Sequence, residues 1–231
     1  MNSQTNEPEV YDLTKEESFR RFATHDKALR LISFVGGVAG LLALGPLMAA
    51  IAAMVRYTMG RPALYRQERV GKDGSRFVIL KFRTMSDAKG PDGSPLPDAE
   101  RLGRLGSLLR STSLDELPGL LNILKGDMNL VGPRPLLPDY LPLYTARQAR
   151  RHEVLPGLTG WNAVNGRNNN TWEEQFEMDV WYVDHRNLLL DLKILCLTLV
   201  KVLQRDGVTQ EGHATRERFR GSQDAPSSTT K

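Results

Sequence analysis

The longest apolar stretch of the chain covers residues 31–55 and contains no charged side chain. A charge-free segment of more than about 18 residues is typical of a membrane-embedded helix. The two flanks of this stretch, residues 15–30 and 56–72, each contain five Lys or Arg residues. The balance of positive charge therefore predicts no direction of crossing. Gly45 and Pro46 interrupt the stretch, and a proline bends a helix and removes a hydrogen bond. Two interpretations stay open: a spanning helix that tolerates the proline, or a kinked helix that re-enters on its own side.

The pattern after this segment predicts a β-hairpin followed by helices. Leu64–Val70 and Phe77–Phe82 alternate in polarity and are joined by the turn sequence GKDG. Helical spacing of apolar residues predicts helices over Ala99–Arg110, Trp172–His185 and Leu188–Leu203, the first of them capped by Asp98. The last helix has a mostly leucine surface, which suits either a core helix or one at a membrane interface. The fold class is therefore α+β, mainly helical with a short β-hairpin.

The composition divides the chain into four parts. Residues 1–25 form a polar extension, which we expect to be loosely ordered; residues 26–60 form the membrane helix, residues 61–208 a folded domain, and residues 209–231 a flexible tail without periodicity. The single cysteine, Cys196, excludes an internal disulfide framework. A net charge of +4 indicates a mild preference for anionic partners. The basic residues form no stripe with stacking aromatic residues, so we expect no nucleic-acid binding.

An acidic pair, Asp115-Glu116, lies in the densest run of unusual residues, between Lys81 and Pro135. Ser113-x-x-Glu116 matches a capping box, in which the side chains satisfy free backbone amides at a helix start. The same pair among basic residues is also typical of a metal and nucleophile site for phosphate chemistry. Both interpretations place the two carboxylates at a helix N-terminus, where anions also bind.

Four basic residues near this pair are candidates for an anion site: Lys81, Arg83, Arg110 and Arg134. Isolated basic residues are usually solvated, but Arg134 lies between two prolines that restrict its backbone. The histidines of the chain have neither metal-ligand spacing nor a partner cysteine, and no GxSxG or GxGxxG motif occurs.

Four long stretches resemble the bacterial sugar transferase family, whose members are monotopic polyprenyl-phosphate sugar-1-phosphate transferases. These stretches are LYRQERVGKDGSRFVILKFRTM, TSLDELPGLLNILKGDMNLVGPRP, YLPLYTARQARRHEVLPGLTGWNAVNGRN and DVWYVDHRNLLLDLKIL. They occur in the family's order, and the resemblance covers about Leu31 to Val208.

The resemblance implies transfer of sugar-1-phosphate from a UDP-sugar to undecaprenyl phosphate, with release of UMP. It assigns the nucleophile to Asp115 and a Mg²⁺ ligand to Glu116. By position, Arg134 would contact the donor, and Lys81, Arg83 and Arg110 would line the anionic site. The loop with Asn165, Gly166 and Arg167 would shape the site around the donor or the lipid phosphate.

The resemblance also implies a re-entrant membrane helix on a cytoplasmic catalytic domain at the bacterial inner membrane, and it is compatible with a homo-oligomer. The family breaks this helix near a Ser-Pro pair, whereas this chain has Gly45 before Pro46. Gly119 and Asn129 stand where glutamine and serine are common. A membrane-anchored scaffold that binds a nucleotide sugar without turnover, and a hydrolase in which water intercepts the intermediate, remain alternatives.

Overall fold

The computed structural model describes residues 13–166, 169–204 and 218–222 and is mostly helical, with two small two-stranded sheets. Its helices and strands, in chain order, are α1 (Leu13–Met59), β1 (Leu64–Val70), β2 (Arg76–Phe82), α2 (Asp98–Arg101), α3 (Arg104–Ser111), α4 (Gly119–Lys125), β3 (Asn129–Val131), α5 (Ala146–Ala149), β4 (Gly157–Thr159), α6 (Trp161–Val164), α7 (Trp172–His185) and α8 (Leu188–Gln204). The α+β class with a mainly helical content is confirmed.

Helix α1 runs for 47 residues and passes through Gly45 and Pro46 without interruption, so the expected kink is not confirmed. It begins at Leu13, and the second half of the expected loose extension, residues 1–25, is therefore helical. Within the described residues, the part of α1 from Phe22 to Met59 is the one stretch long and apolar enough to cross a membrane, and protein covers little of it. A membrane anchor at this position is thus plausible on length and composition.

The first half of α1 packs closely on the rest of the chain. Gly36 faces Leu130 of β3, and a Cβ added at Gly36 would lie 2.8 Å from that side chain. Ser33 Oγ accepts a hydrogen bond from the backbone N–H of Leu130 at 2.9 Å, and Arg30 donates to the Met128 carbonyl at 2.9 Å. The missing side chain of Gly36 allows α1 to approach β3 this closely.

The second half of α1 packs on the β-hairpin and α3, where Ile51 and Val55 form a core cluster with Phe82 and Leu109. The outward side of α1 is apolar and exposed, through side chains that include Leu31, Phe34, Val35, Leu42 and Met54. Both halves of the helix therefore contact one folded domain, and an apolar side is left uncovered.

The β-hairpin is confirmed. Strands β1 and β2 pair antiparallel from Leu64↔Phe82 to Val70↔Arg76, one residue longer at the turn than expected. Because side chains alternate along a strand, Tyr65, Gln67 and Arg69 share one face of the sheet. Lys81, which pairs with Tyr65, lies on the same face.

The prediction of a single helix over Ala99–Arg110 is wrong. The structure has two helices, α2 and α3, separated by extended backbone at Leu102 and Gly103, and Asp98 is the first helical residue instead of the cap. The break lets α3 approach the chain after β2 so closely that a Cβ at Gly106 would lie 1.8 Å from the Thr84 carbonyl oxygen. That approach requires glycine, and it is a tertiary contact that local spacing does not encode.

Helices α7 and α8 are confirmed, the first with its predicted bounds. A buried polar network joins them to α1: Asp191 accepts a hydrogen bond from the Tyr182 hydroxyl at 2.8 Å and bonds His25 Nε2 at 2.6 Å. On its outer side α8 exposes leucines, with Leu189 80% and Leu199 68% exposed. Of the two interpretations left open for α8, this exposure favours a helix at a membrane interface over a core helix.

Part of the expected flexible tail, residues 209–231, is docked on the domain. Phe219 is only 4% exposed and belongs to an aromatic cluster with Tyr140, Tyr144 and Phe176. A buried aromatic ring contributes a large contact area and helps to hold a short segment that has no periodicity of its own.

Candidate active site

A large open cleft of about 1370 Å³ lies between the hairpin, α3, the turn before α4 and the start of α7. Asp115 and Glu116 line it, and the cationic side chains in its wall outnumber the acidic ones. These cations are Arg56, Arg61, Arg66, Arg69, Lys81, Arg83, Arg101, Arg110, Arg134 and Arg218. A concave site with one dominant sign of charge concentrates ligands of the opposite sign, so the cleft suits an anionic ligand.

The acidic pair lies in a short 3-10 turn, Leu114–Glu116, which precedes α4. Ser113 adopts the left-handed conformation with φ 57° and makes no capping hydrogen bond, so the capping box is not formed. Pro118 is the N-cap of α4. Non-glycine residues rarely adopt this conformation, and such strain is typical of functional sites. The structure therefore favours the functional interpretation of Asp115-Glu116 over the capping one.

Glu116 is held by two cations. Its Oε1 atom accepts hydrogen bonds from Lys81 Nζ and Arg134 Nη2, both at 2.7 Å. Burial works against ionisation, but the charges of Arg134 and Lys81 outweigh it and hold the pKa of Glu116 well below its usual range. Glu116 is thus a fixed anion that orients two cationic side chains in the cleft.

Asp115 has the opposite electrostatic environment, although it is the adjacent residue. Its side chain is buried, and burial together with the negative charge of Glu116 raises the pKa of Asp115 to about 6, against the pull of Lys81, Arg134 and Arg110. Two neighbouring acids whose pKa values are pushed apart are characteristic of catalytic sites. A less solvated carboxylate is also a more reactive nucleophile.

We expect turnover to require ionised Asp115 and therefore to depend on pH. Because the pKa is raised, the rate should fall as pH drops through about 6 and should approach a tenfold loss per pH unit below it. Glu116 would stay ionised over the same range. A kcat/KM profile from pH 5 to 8 checks this, and a rate that stays flat down to pH 5 contradicts it.

The position of α4 against the hairpin depends on Asn122, whose side chain is fully buried. Asn122 Oδ1 accepts from the Leu80 backbone N–H at 3.0 Å, and Nδ2 donates to the Val78 carbonyl at 2.7 Å. These bonds satisfy backbone groups on the edge of β2 that has no neighbouring strand. They also hold the turn before α4 beside Lys81, which forms the ion pair with Glu116.

Arg134 is positioned through its backbone. Strands β3 and β4 approach so closely that a Cβ at Gly157 would lie 2.1 Å from the Gly132 nitrogen, two residues before Arg134. Arg151 donates to the Arg134 carbonyl at 2.6 Å and forms a buried ion pair with Asp179 at 2.7 Å. Sequence reasoning missed Arg151 and Asp179, because they lie in separate elements and only the fold brings them together.

The other two predicted cations, Arg110 and Arg83, also line the cleft, but each is already engaged by the protein. Arg110 Nε donates to Thr84 Oγ1 at 3.0 Å. Arg83 is buried and donates to Asp87 at 2.7 Å and to the backbone carbonyl of Met85 at 3.0 Å. Its contacts give Arg83 a structural role in the cleft wall.

Arg69 is a cleft residue that sequence reasoning missed. It lies on the hairpin face that carries Lys81, and its Nε atom is buried without a hydrogen-bond partner among the described residues. Burial and the charge of Arg134 lower the pKa of Arg69 to about 10. The period-2 alternation of β1 is the signal that would have placed Arg69 on the face of Lys81.

Other predicted residues lie elsewhere. Asn165 is not among the residues that line the cleft in the described part of the chain, and its side chain donates to the Trp161 carbonyl at 2.8 Å. Arg167 lies outside the described residues. Gly45 and Pro46 belong to the continuous α1.

The donor set of the site fits a magnesium ion that is shared with a substrate. No cluster of three or more potential protein ligands occurs among the described residues. Mg²⁺, however, is usually bound by one or two carboxylates together with substrate phosphates and waters. Both side-chain hydrogen bonds of Glu116 reach Oε1, which leaves its second oxygen for a further ligand beside the Asp115 carboxylate.

The strained turn, the acidic pair with separated pKa values and the cationic cleft fit the class of enzymes that act on phosphate-bearing substrates, and the apolar surface of α1 fits action at a membrane. The profile of the family described as bacterial sugar transferase matches residues 24–205. The chain belongs to the bacterial sugar transferase family.

Three relatives show the range of similarity. The uncharacterized sugar transferase EpsL of Bacillus subtilis is 58% identical over 76% of this chain and 87% of its own length. The UDP-glucose:undecaprenyl-phosphate glucose-1-phosphate transferase of Caulobacter vibrioides is 37% identical over 78% of this chain and 72% of its own length. The UDP-galactose-lipid carrier transferase of Erwinia amylovora is 36% identical over 77% of this chain, which spans only 41% of that protein.

Proposed function

We propose that this protein transfers sugar-1-phosphate from a UDP-sugar to undecaprenyl phosphate, releasing UMP and forming undecaprenyl-diphosphate-sugar as the first membrane step of glycan assembly. One observation carries the proposal: a buried carboxylate with a raised pKa, Asp115, lies beside the Lys81–Glu116–Arg134 ion pairs in a cationic cleft. The names of the relatives from C. vibrioides and E. amylovora support the donor and lipid-carrier classes.

In the first displacement, an oxygen of the Asp115 carboxylate attacks the β-phosphorus of the donor. The bond between this phosphorus and the bridging oxygen breaks, UMP leaves with that oxygen, and a sugar-phosphoryl group is bound to Asp115. Lys81 and Arg134 neutralise the phosphate charge that would otherwise repel the carboxylate. The fixed anion Glu116 keeps both cations oriented towards the cleft.

In the second displacement, a phosphate oxygen of undecaprenyl phosphate attacks the same phosphorus and the Asp115 carboxylate is released. Two displacements at one atom let a soluble donor and a lipid acceptor use the same cleft in turn. Glu116 would hold Mg²⁺ together with the donor phosphates, and the ion would supply further charge neutralisation.

Detergent-solubilised protein, Mg²⁺, undecaprenyl phosphate and a panel of UDP-sugars provide the test, with UMP as the measured product. We expect lipid-dependent UMP release with one preferred donor. Binding of a UDP-sugar without UMP release would favour a scaffold protein, and repeated turnover without the lipid, beyond one UMP per protein molecule, would indicate hydrolysis. Either result contradicts the proposal.

We also propose that α1 is re-entrant, so that both of its ends lie on the cytoplasmic face of the inner membrane with the catalytic domain. The support is that both halves of α1 pack on the same domain. The contacts run from Arg30 to Val55, about 39 Å at 1.5 Å per residue, which exceeds the hydrocarbon thickness of about 30 Å. A perpendicular crossing would place this contact surface of the domain inside the bilayer.

Single cysteines at the two ends of α1 test this topology. Lys27→Cys and Thr58→Cys, each in a Cys196→Ala background, are exposed positions on either side of the apolar stretch. A membrane-impermeant maleimide should label neither in intact spheroplasts and both after lysis. Labelling of one end alone in intact spheroplasts indicates a spanning helix.

A further inference from the structure

Residues 218–222, which we term the C-terminal strap, return to the active-site cleft although they lie beyond the family match, which ends at residue 205. Arg218 and Arg220 are exposed, whereas Phe219 between them is buried. The strap is therefore a feature of this chain that the family resemblance does not cover.

Phe219 anchors the strap. Its ring lies 4.9 Å from the Phe176 ring and 5.8 Å from the Tyr140 ring, both in edge-to-face geometry. The backbone N–H of Phe219 donates to the Tyr140 hydroxyl at 3.3 Å. Aromatic pairs of this geometry stabilise a contact beyond the burial of area.

Ser222 fixes the other end of the strap. Its hydroxyl accepts a hydrogen bond from Gln148 Nε2 at 2.8 Å and donates to Glu173 at 3.2 Å. With both ends held, the strap has a defined position against α5 and the start of α7, which also fixes the backbone of Arg218.

The consequence of this docking is a cation in the cleft wall. Arg218 lines the same cleft as Asp115 and Arg134, and the wall also includes the aromatic residues Tyr140 and Trp172, whose rings contact Phe219. Within the described residues Arg218 forms no ion pair. Arg220, two residues on, is exposed and does not line the cleft.

We infer that Arg218, held in place by Phe219, binds the anionic nucleotide portion of the sugar donor. The inference rests on the proposed function and names a donor-binding residue for it. An arginine guanidinium presents several donors that match phosphate oxygens, and aromatic rings beside it offer stacking surfaces for a base.

The contacts of the strap favour the donor over the lipid acceptor as the source of the phosphate. The acceptor phosphate is confined to the membrane surface, where the apolar side of α1 would lie. Within the described part of the chain, the ring contacts and hydrogen bonds of Phe219 and Ser222 are all with residues 140–176 and none is with α1. A nucleotide from solution can reach this part of the cleft without leaving the aqueous phase.

Steady-state kinetics of the full chain test the inference. Arg218→Gln should raise the KM for the UDP-sugar about tenfold, equivalent to about 1.4 kcal/mol, with kcat and the KM for undecaprenyl phosphate unchanged. Arg220→Gln removes the same charge from the same strap and should leave all three values unaltered. Arg218→Lys should recover part of the lost affinity, and Phe219→Ala should reproduce the Arg218→Gln effect by releasing the strap.

Calorimetric measurement of UMP affinity tests this inference independently of the proposed function. Weaker UMP binding in Arg218→Gln than in Arg220→Gln supports the role of Arg218 even if no transferase activity is found. Equal UMP affinity in the two variants overturns it, even if the protein is an active transferase. A rise in the KM for undecaprenyl phosphate instead of the donor, or failure of UMP to bind the unmodified protein, also overturns it.

Discussion

Asp115→Ala should abolish lipid-dependent UMP release, with a loss of about a thousandfold or more in kcat, because removing a nucleophile removes the step that the rest of the site supports. The buried position of Asp115 and its raised pKa single it out from every other carboxylate in the cleft. Asp139→Asn is the matched control, since Asp139 is exposed and does not line the cleft.

The covalent intermediate itself can be measured. With a UDP-sugar and no lipid acceptor, the wild-type protein should gain the mass of one sugar-phosphoryl group on the peptide that contains Asp115. The adduct should be absent from Asp115→Asn and should disappear when undecaprenyl phosphate is added. Activity that survives in Asp115→Ala, or an adduct on Glu116, would exclude the mechanism proposed above.

Neutralising the two adjacent acids should have opposite effects on stability at pH 7. The folded-state pKa of Asp115 is raised, so the ionised carboxylate is disfavoured in the folded protein above about pH 6, and Asp115→Asn should raise the melting temperature. The folded-state pKa of Glu116 is lowered, so its stabilising contribution is present above the unfolded value and is lost as pH falls through the folded one. Glu116→Gln should therefore lower the melting temperature.

The physical reason is that Asp115→Asn removes a poorly solvated charge, whereas Glu116→Gln leaves Lys81 and Arg134 without their anion. Each kcal/mol of change in the free energy of unfolding should shift the melting temperature by about 2–4 °C in a chain of this size. Both variants should lose activity. In Asp115→Asn the melting temperature should therefore rise while turnover falls, and in Glu116→Gln both should fall. Melting temperatures that shift in the same direction for both variants would contradict this account.

Local sequence patterns predicted secondary structure correctly where the residues of one element alone determine its conformation. The hairpin follows from alternation around GKDG, and α7 follows from helical spacing of its apolar residues. The same local reasoning failed at the expected helix over Ala99–Arg110. The helix breaks at Leu102 and Gly103, and the break allows Gly106 to pack against Thr84. That contact arises from tertiary packing and not from the local sequence.

The capping motif at Ser113 shows why a local match can mislead. Ser113 and Glu116 have the required spacing, but Glu116 bonds Lys81 and Arg134 from distant elements instead of the backbone. Two hydrogen bonds from cationic donors are stronger than one from a neutral backbone N–H, so the tertiary partners determine the side-chain position.

The amino-acid sequence by itself determined the apolar stretch, the hairpin, the long helices and the presence of an acidic pair among cations, because each depends on residues close together in the chain. Only the tertiary structure decided which cations face that pair, that Arg69 and Arg218 join them, and that Asp115 and Glu116 have opposite pKa shifts. These properties depend on burial and on distances between residues far apart in sequence, and folding alone sets both.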